Sequence, residues 1–484
     1  MTYALLVGSF AVFLGALAVG IKNWRLAVIG LVIYIPISGI AIDAAYGHRV
    51  ERAVAVLAKD FLFVVPAYVG FLLWAWRRRI RISFPGAPAT LLLALAAIVV
   101  AQAFNPNLPK PLVGLIGVKV WLFYVPLIFL GYHLVRTREE LHRLFGLMTL
   151  LALVPAGVGL IEAALIYGGH AHAVYRLYGN AAGAVTQEFV SFGLPGGGSL
   201  RRIPSTFSSF YQYYLFVAVM LAVAYGWWRG SRLGSRRSNI VAAAVWLLLL
   251  AASFLTGVRA GFFMTPFLIL LMVALGGRGA VRFGLRWLLP ATVIVLALGS
   301  ALSGSHLLGV WTEIGHVGRQ EFGDVIVRSS KDAVHLTTFG LGTGIDSVGA
   351  RYAYSNDTAW QEAIFPVLGR WEESWYVKTW IELGVAGLAI VLALFGTIIV
   401  RGIRAHLTVR DPGLRAPSAA LLAVVIWTVV YIVKSQYIDL DPLNVYFWLF
   451  VGLLFRVPTL AEAEPVGEVD EAPRARPLEA VVSE

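Results

Sequence analysis

The chain has 484 residues, 59% of them hydrophobic and 14% charged, with no cysteine and a formal net charge of +12. Its mean hydropathy is +0.77. These values place it among polytopic membrane proteins and exclude disulfides, thiolate chemistry and Cys-ligated zinc. The positive charge reads as membrane topology, not nucleic-acid binding, because the basic residues cluster in short loops between apolar runs.

Runs of spanning length fall near 2–21, 25–42, 61–76, 87–103, 111–134, 144–166, 208–228, 239–256, 260–277, 285–303, 374–400, 416–434 and 443–456, about thirteen helices in all. The first reads as a span and not a removable signal peptide, since no basic region precedes it and no cleavage site is evident. Alternate loops hold twenty Lys or Arg, including Arg77, Arg78, Arg79, Arg401 and Arg404, whereas the opposite short loops hold six: Arg49, Arg52, Lys59, Lys110, Arg259 and Lys434. The positive-inside rule puts the first set in the cytoplasm, the N-terminus outside and the C-terminus inside.

The expected organisation is N-terminal spans 1–166, a first long outer loop 167–207, central spans 208–303, a large outer loop 304–373, C-terminal spans 374–458 and a tail 459–484. Loops of this size in a compact membrane protein are usually functional. In the large loop, Phe322, Val325 and Ile326, continued by Ala333 and Val334, are spaced as one face of an amphipathic helix lying on the outer surface. Phe339-Gly-Leu-Gly-Thr-Gly344 then ends it with turn residues. A covering lid without ligand contact is the alternative reading. The Glu-, Ala- and Pro-rich tail reads as disordered. No internal repeat, Walker A or HExxH sequence is present, which argues against an ATP-driven pump.

Arg259 is the only charged residue between Ile240 and Gly277. A charge at a helix centre in the bilayer costs at least about 2.5–3.5 kcal/mol, so it usually faces a cavity or a partner. Snorkelling from an interfacial turn is the competing reading. Lys119 and Arg202 are two further cations on the same predicted side. Arginine forks suit phosphate oxygens and lysine acts as a point charge, so an anionic group such as a lipid diphosphate fits the three together. Glu372-Glu373-Ser374-Trp375-Tyr376 opens the next helix. Glu373 has two readings, a charge favoured by the helix macrodipole and a general base for a sugar hydroxyl. Glu373, Tyr376 and Trp380 share a helical face, and Lys378 and Glu382 have i, i+4 pairing distance. His306, His316 and His335 lack metal-site spacing and read as surface histidines. Asp43, Glu51 and Asp60 are scattered without a paired metal motif. Lys434, Asp439 and Asp441 read as an interfacial ion-pair set.

Taken in order, these segments resemble the O-antigen ligase and O-antigen polymerase family of membrane glycosyltransferases, over roughly 202–458. Arg202-Ile-Pro-Ser-Thr-Phe207 resembles the family's Arg-x-x-Gly-Thr-Phe, with Ser205 in place of glycine. Thr256-Gly-Val-Arg-Ala-Gly261 resembles its Thr-x-Ser-Arg-Gly turn, with Val258 where serine is usual. Arg319 with the Phe339–Gly344 turn resembles its loop helix and Gly-x-Gly. Glu373-Ser-Trp-Tyr-Val377 with Glu382-Leu-Gly384 resembles His-Asn-x-Tyr-Leu followed by Glu-x-Gly.

The resemblance implies an all-α polytopic GT-C-type fold of about twelve to thirteen transmembrane helices, with a large periplasmic loop carrying short helices. It implies a bacterial inner-membrane enzyme that moves a glycan from an undecaprenyl-diphosphate-linked donor to an acceptor hydroxyl, without metal or other cofactor. Its partners would be the lipid-linked donor and acceptor, membrane lipids and, for a polymerase, a chain-length regulator. Arg202 and Arg259, helped by Lys119, would hold the diphosphate, and Glu373 would be the base. Arg319, Tyr376 and Glu372 are further substrate-binding candidates, Glu372 because the register can shift by one. Ligases of the family have histidine where this chain has Glu373, which favours a polymerase. A ligase is the alternative, and a lipid-oligosaccharide flippase or secondary transporter the alternative of another class. A transporter would show paired, interrupted helices in matching halves.

Overall fold

In a computed structural model, the described residues are 2–80, 82, 89–181, 192–193, 199–231, 235–277, 284–288, 326–347, 349–351 and 372–462, with isolated residues at 282, 290, 292–294, 297, 315 and 362. The apolar runs among them fold as helices: α1 (Thr2–Lys22), α2 (Trp24–Ala44), α3 (Val50–Arg77), α4 (Ala89–Gln102), α5 (Pro111–Leu134), α6 (Arg138–Tyr167), α7 (Ala171–Tyr178), α8 (Phe210–Gly230), α9 (Arg236–Leu255), α10 (Gly261–Leu275), α11 (Ile326–Leu336), α12 (Trp375–Thr408), α13 (Pro412–Tyr431) and α14 (Leu443–Glu462). Nine helices among the described residues are long and apolar enough to cross a membrane, and parts of α1, α4 and α10 are apolar but shorter. The chain is a multi-pass helical membrane protein; the one strand pairing among the described residues is the two-residue ladder Phe192–Gly193 with Ser199–Leu200. The expected span 285–303 and the tail beyond Glu462 lie mainly outside the described residues.

Local chemistry sets the helix starts. Thr137 caps α6 by accepting from the Glu140 N–H, while the Glu140 carboxylate accepts from the N–H of Arg136, the residue before the cap. Ser209 and Ser235 cap α8 and α9, and Asp411 caps α13 ahead of Pro412. At that end of the bundle Arg138 and Asp411 pair at 2.9 Å, which ties α6 to α13.

The centre is α8, α13 and α14, whose apolar side chains are buried nearly all round. Lipid and protein interiors are equally apolar, so close packing at small residues, not hydrophobicity, joins such helices. The α5–α14 contact shows it: a Cβ on Gly131 would lie 2.2 Å from the Leu449 carbonyl oxygen, and one on Gly452 2.1 Å from that of Ile128.

Three spans depart from a plain helix. α5 is interrupted between Leu122 and Leu127, around Pro126. α3 contains a π-helical turn at Asp60–Val64. α12 breaks at Gly384, whose φ is 73° and ψ −175°. The Thr338–Gly344 segment docks into that break, with Leu341 N–H donating to the Ile381 carbonyl at 2.7 Å and Gly342 N–H to that of Glu382 at 3.2 Å. Val385 N–H in turn donates to the Thr338 carbonyl at 3.0 Å. Backbone groups freed by the kink are thus satisfied within the protein, as a nonpolar surrounding demands.

The large-loop helix forms as α11 but with a different buried stripe. Ser329 and Ala333 are buried, whereas Val334 is 52% exposed. The stripe follows i, i+4 spacing from Ser329 and so rotates Val334 away. Ala333 packs with Leu341, Ile345, Val377 and Ile381 in a small separate core over the start of α12. Phe322 and Val325, the other expected members of that face, lie outside the described residues.

Candidate functional site

The two arginine segments meet. α9 ends at Leu255, and Gly257 follows in the left-handed region with φ 74°, the usual C-terminal stop for a helix. The Ile203 N–H donates to the Thr256 carbonyl at 3.1 Å, bridging the Arg202 segment to the Thr256–Arg259 turn. A Cβ on Gly257 would lie 2.1 Å from the Arg201 carbonyl oxygen, so only glycine allows this approach. The turn also rests on α8, where Gly261 abuts the Tyr214 ring. Arg202 and Arg259 are half-buried. The Arg202 guanidinium lies 4.7 Å from the centroid of the Phe210 ring, a cation–π distance.

A series of aromatic contacts runs from there to the end of α13. Phe210 contacts Tyr211 at 3.9 Å between centroids, Tyr211 contacts Tyr437 at 5.5 Å, and Tyr437 contacts Tyr431 at 4.7 Å. Burial pushes the Tyr437 phenol well above its ordinary range, and Tyr211 beside it adds to the rise. Glu373 itself is 62% exposed, and Lys434 Nζ stands 3.8 Å from its carboxylate. Glu372 is buried, its N–H donating to Asp346 Oδ1 at 3.3 Å and its carbonyl accepting from Arg351 and Gln436. Of the two adjacent carboxylates, Glu373 is the one open to a ligand.

Beside this face lie two buried charge networks. In the first, Asp60 accepts from Tyr124 at 2.6 Å and pairs with Lys119 at 2.7 Å and Lys59 at 3.1 Å, while Lys59 also reaches Asp441 at 3.2 Å. In the second, Lys378 pairs with Asp439, which also accepts from Trp375 Nε1 at 2.9 Å. Glu382 accepts from Trp121 Nε1 at 2.6 Å and from the Asp346 N–H at 3.0 Å. Asp346 accepts from Gln436 Nε2 at 3.0 Å. Burial pushes the Asp346 carboxyl well above the usual carboxylate range; Arg351 opposes that rise and Glu382 adds to it. Gln436 also donates to the carbonyls of Asp346 and Glu372, so one side chain joins the docked loop to the start of α12.

The expected site is therefore redistributed. Arg202 and Arg259 lie on abutting segments, and the aromatic contacts lead from Phe210 to Tyr437 and Tyr431. Lys119, read as a third member of the cation set, is 37% exposed and neutralised by Asp60. An ammonium and a carboxylate in a low-dielectric surrounding pair with each other before any ligand arrives. Tyr376 donates its hydroxyl to the Val429 carbonyl at 2.9 Å, and Trp375 is buried against Phe395 and Trp121. Both are packing residues here, not an open sugar platform. Arg319 lies outside the described residues.

Sequence reasoning passed over Asp60 as a scattered acid and did not single out Glu162 or Asp346. The signal for the first two was present: each is a carboxylate in or beside an apolar run, which membrane energetics marks for attention. Lys434, Asp439 and Asp441 each enter an ion pair, with Glu373, Lys378 and Lys59 respectively. No protein-family model matches the chain, and no curated protein matches it.

Proposed function

We propose that the protein is a GT-C-type membrane glycosyltransferase that polymerises lipid-linked oligosaccharide units at the periplasmic face of the bacterial inner membrane. The observation that carries this reading is the abutment of the Arg202 segment on the Thr256–Arg259 turn. Two guanidinium-bearing segments held together at the end of a nonpolar bundle suit an anionic head group on a lipid. The exposed carboxylate of Glu373, beside Lys434, supports a base role.

In this reading Arg202 and Arg259 hold the diphosphate of an undecaprenyl-linked glycan. An acceptor sugar hydroxyl attacks the anomeric carbon as the bond from that carbon to the diphosphate oxygen breaks. The electron pair leaves on the diphosphate, the hydroxyl proton passes to Glu373, and the configuration inverts. Charge placed in advance on the leaving group is worth about 3–4 kcal/mol per donor removed. Lys119 adds to that charge only where a phosphate displaces Asp60.

The test is purified protein in lipid nanodiscs with a lipid-diphosphate-linked repeat unit and EDTA. A ladder of longer glycans supports polymerisation. Transfer only to a lipid A-core acceptor makes the protein a ligase, and no product from any such donor favours a flippase or transporter. Arg259→Ala is expected to lose donor binding or turnover while inserting normally.

A further inference from the structure

The one acidic residue in the apolar stretch of α6 from Leu144 to Ile166 is Glu162, and it is buried. A carboxyl group there is costly unless partnered, and its partners all belong to the Arg202 segment or to the helix covering it. Glu162 Oε2 accepts from the Ser205 N–H at 2.9 Å, and Oε1 lies 2.8 Å from the Tyr178 hydroxyl at the end of α7. The same hydroxyl lies 2.9 Å from the Ser205 carbonyl oxygen. The Ser205 hydroxyl donates to the Pro155 carbonyl at 2.6 Å.

Ser205 is one of two non-glycine residues with positive φ among the described residues, at 55°. An L-residue is strained there, and such strain persists only where the surroundings over-determine it. At Ser205 they do: both backbone polar groups and the side chain are held from outside the loop. The left-handed turn reverses the chain between Arg202 and α8, so releasing it would let the Ile203–Thr256 contact and the Arg202 guanidinium move together.

We propose that Glu162 is a positioning residue: with Tyr178 it clamps Ser205 in the left-handed conformation and thereby sets Arg202 against the Thr256–Arg259 turn. The clamp matters to catalysis only through the diphosphate role given to Arg202 above, on which that part rests. It works by hydrogen-bond geometry, not by charge. The three contacts among Glu162, Tyr178 and Ser205 take three hydrogens: Ser205 N–H gives one to Oε2, Tyr178 O–H gives one to the Ser205 carbonyl, and a proton carried on Glu162 Oε1 gives the third to the Tyr178 oxygen. An amide at 162 supplies the third through its NH2 and still accepts from Ser205. Glutamine should therefore replace glutamate, and alanine should not.

The absence of native cysteine allows a readout that needs no ligand. Arg201→Cys places a single thiol beside the clamp, and its maleimide-labelling rate in nanodiscs reports the loop. Glu162→Ala and Tyr178→Phe are expected to raise that rate at least about fivefold, and Glu162→Gln to leave it within about twofold. Ser205→Gly, which removes the conformational strain, should bring the Glu162→Ala rate back toward the parent. Tyr178→Phe carries the test if Glu162→Ala does not fold. Unchanged labelling in Glu162→Ala or Tyr178→Phe would overturn the clamp, and so would Glu162→Gln behaving like Glu162→Ala. Binding of undecaprenyl diphosphate, measured on the same proteins, separates the two ideas. If the parent does not bind it, the diphosphate reading falls while labelling still decides the clamp. If the parent binds, weaker binding in Glu162→Ala and not in Glu162→Gln supports the clamp, and equal binding in both removes its functional part.

Discussion

Gly257→Ala probes the junction of the two arginine segments. The residue has φ 74°, and an added Cβ would lie 2.1 Å from the Arg201 carbonyl oxygen and 2.9 Å from the Arg202 Cα. Left-handed backbone alone costs alanine roughly 1–2 kcal/mol. Ordinary contact begins near 3.4 Å and the blocking atoms are backbone, so the two segments must separate by about 1 Å. A misplacement of about 1 Å at a positioned group can cost about 100-fold in rate. The expected result is a kcat/KM for glycan transfer reduced about 100-fold, with a modestly lower melting temperature. Gly396→Ala is the control, because nothing lies within 4 Å of a Cβ there. Both variants would be assayed in nanodiscs with the lipid-linked donor. Gly257→Ala activity within about threefold of the parent would refute the reasoning, since it would mean that the junction does not set the geometry of the reaction.

Glu373→Gln should abolish elongation while leaving donor binding intact; full activity in a product-ladder assay would remove Glu373 as the base. Asp60→Asn removes the counter-charge that Lys59 and Lys119 share; with Asp441 still on Lys59 and Lys119 partly exposed, the destabilisation should fall below the cost of breaking a fully buried pair from one side, about 3–5 kcal/mol. Thermal melting of solubilised protein reads that loss, and an unchanged midpoint would count against the pairing. For Asp346 the raised folded-state pKa means that the folded protein holds this proton more tightly than the unfolded chain. Its contribution to stability is thus complete below the ordinary value of 3.8 and is lost as pH rises through the higher folded value. Asp346→Asn should flatten the fall in melting temperature as pH rises above 3.8, whereas parallel profiles for parent and variant would contradict this.

Much of the architecture was legible because spans are written in one dimension. A run such as 210–230 or 412–431 has to be a helix if it crosses a bilayer, whatever surrounds it. The short motifs were legible too, and glycine was their most informative residue. Gly257 and Gly384 mark backbone with positive φ, at a helix stop and a helix break respectively. Ser205 is left-handed without being glycine, and nothing in its own identity signals that conformation. Side-chain partners were less legible. Lys378 and Glu382 sit one turn apart, yet each takes its direct bond from a distant residue, Asp439 and Trp121. Nothing local in the sequence joins Lys119 to Asp60.

By itself the sequence determined a multi-pass helical protein, the approximate places of its apolar spans, and the set of charged residues that a membrane makes expensive. Those follow from local rules: hydrophobic run length and the cost of a charge in hydrocarbon. Only the tertiary structure decided which charges meet. It set Arg202 beside the Arg259 turn, gave Lys119 to Asp60, left Glu373 open and turned Glu372 inward. The physical reason is that a buried charge is settled by whichever donor or acceptor the packed helices bring within about 3 Å, and that choice is made between helices, not along them.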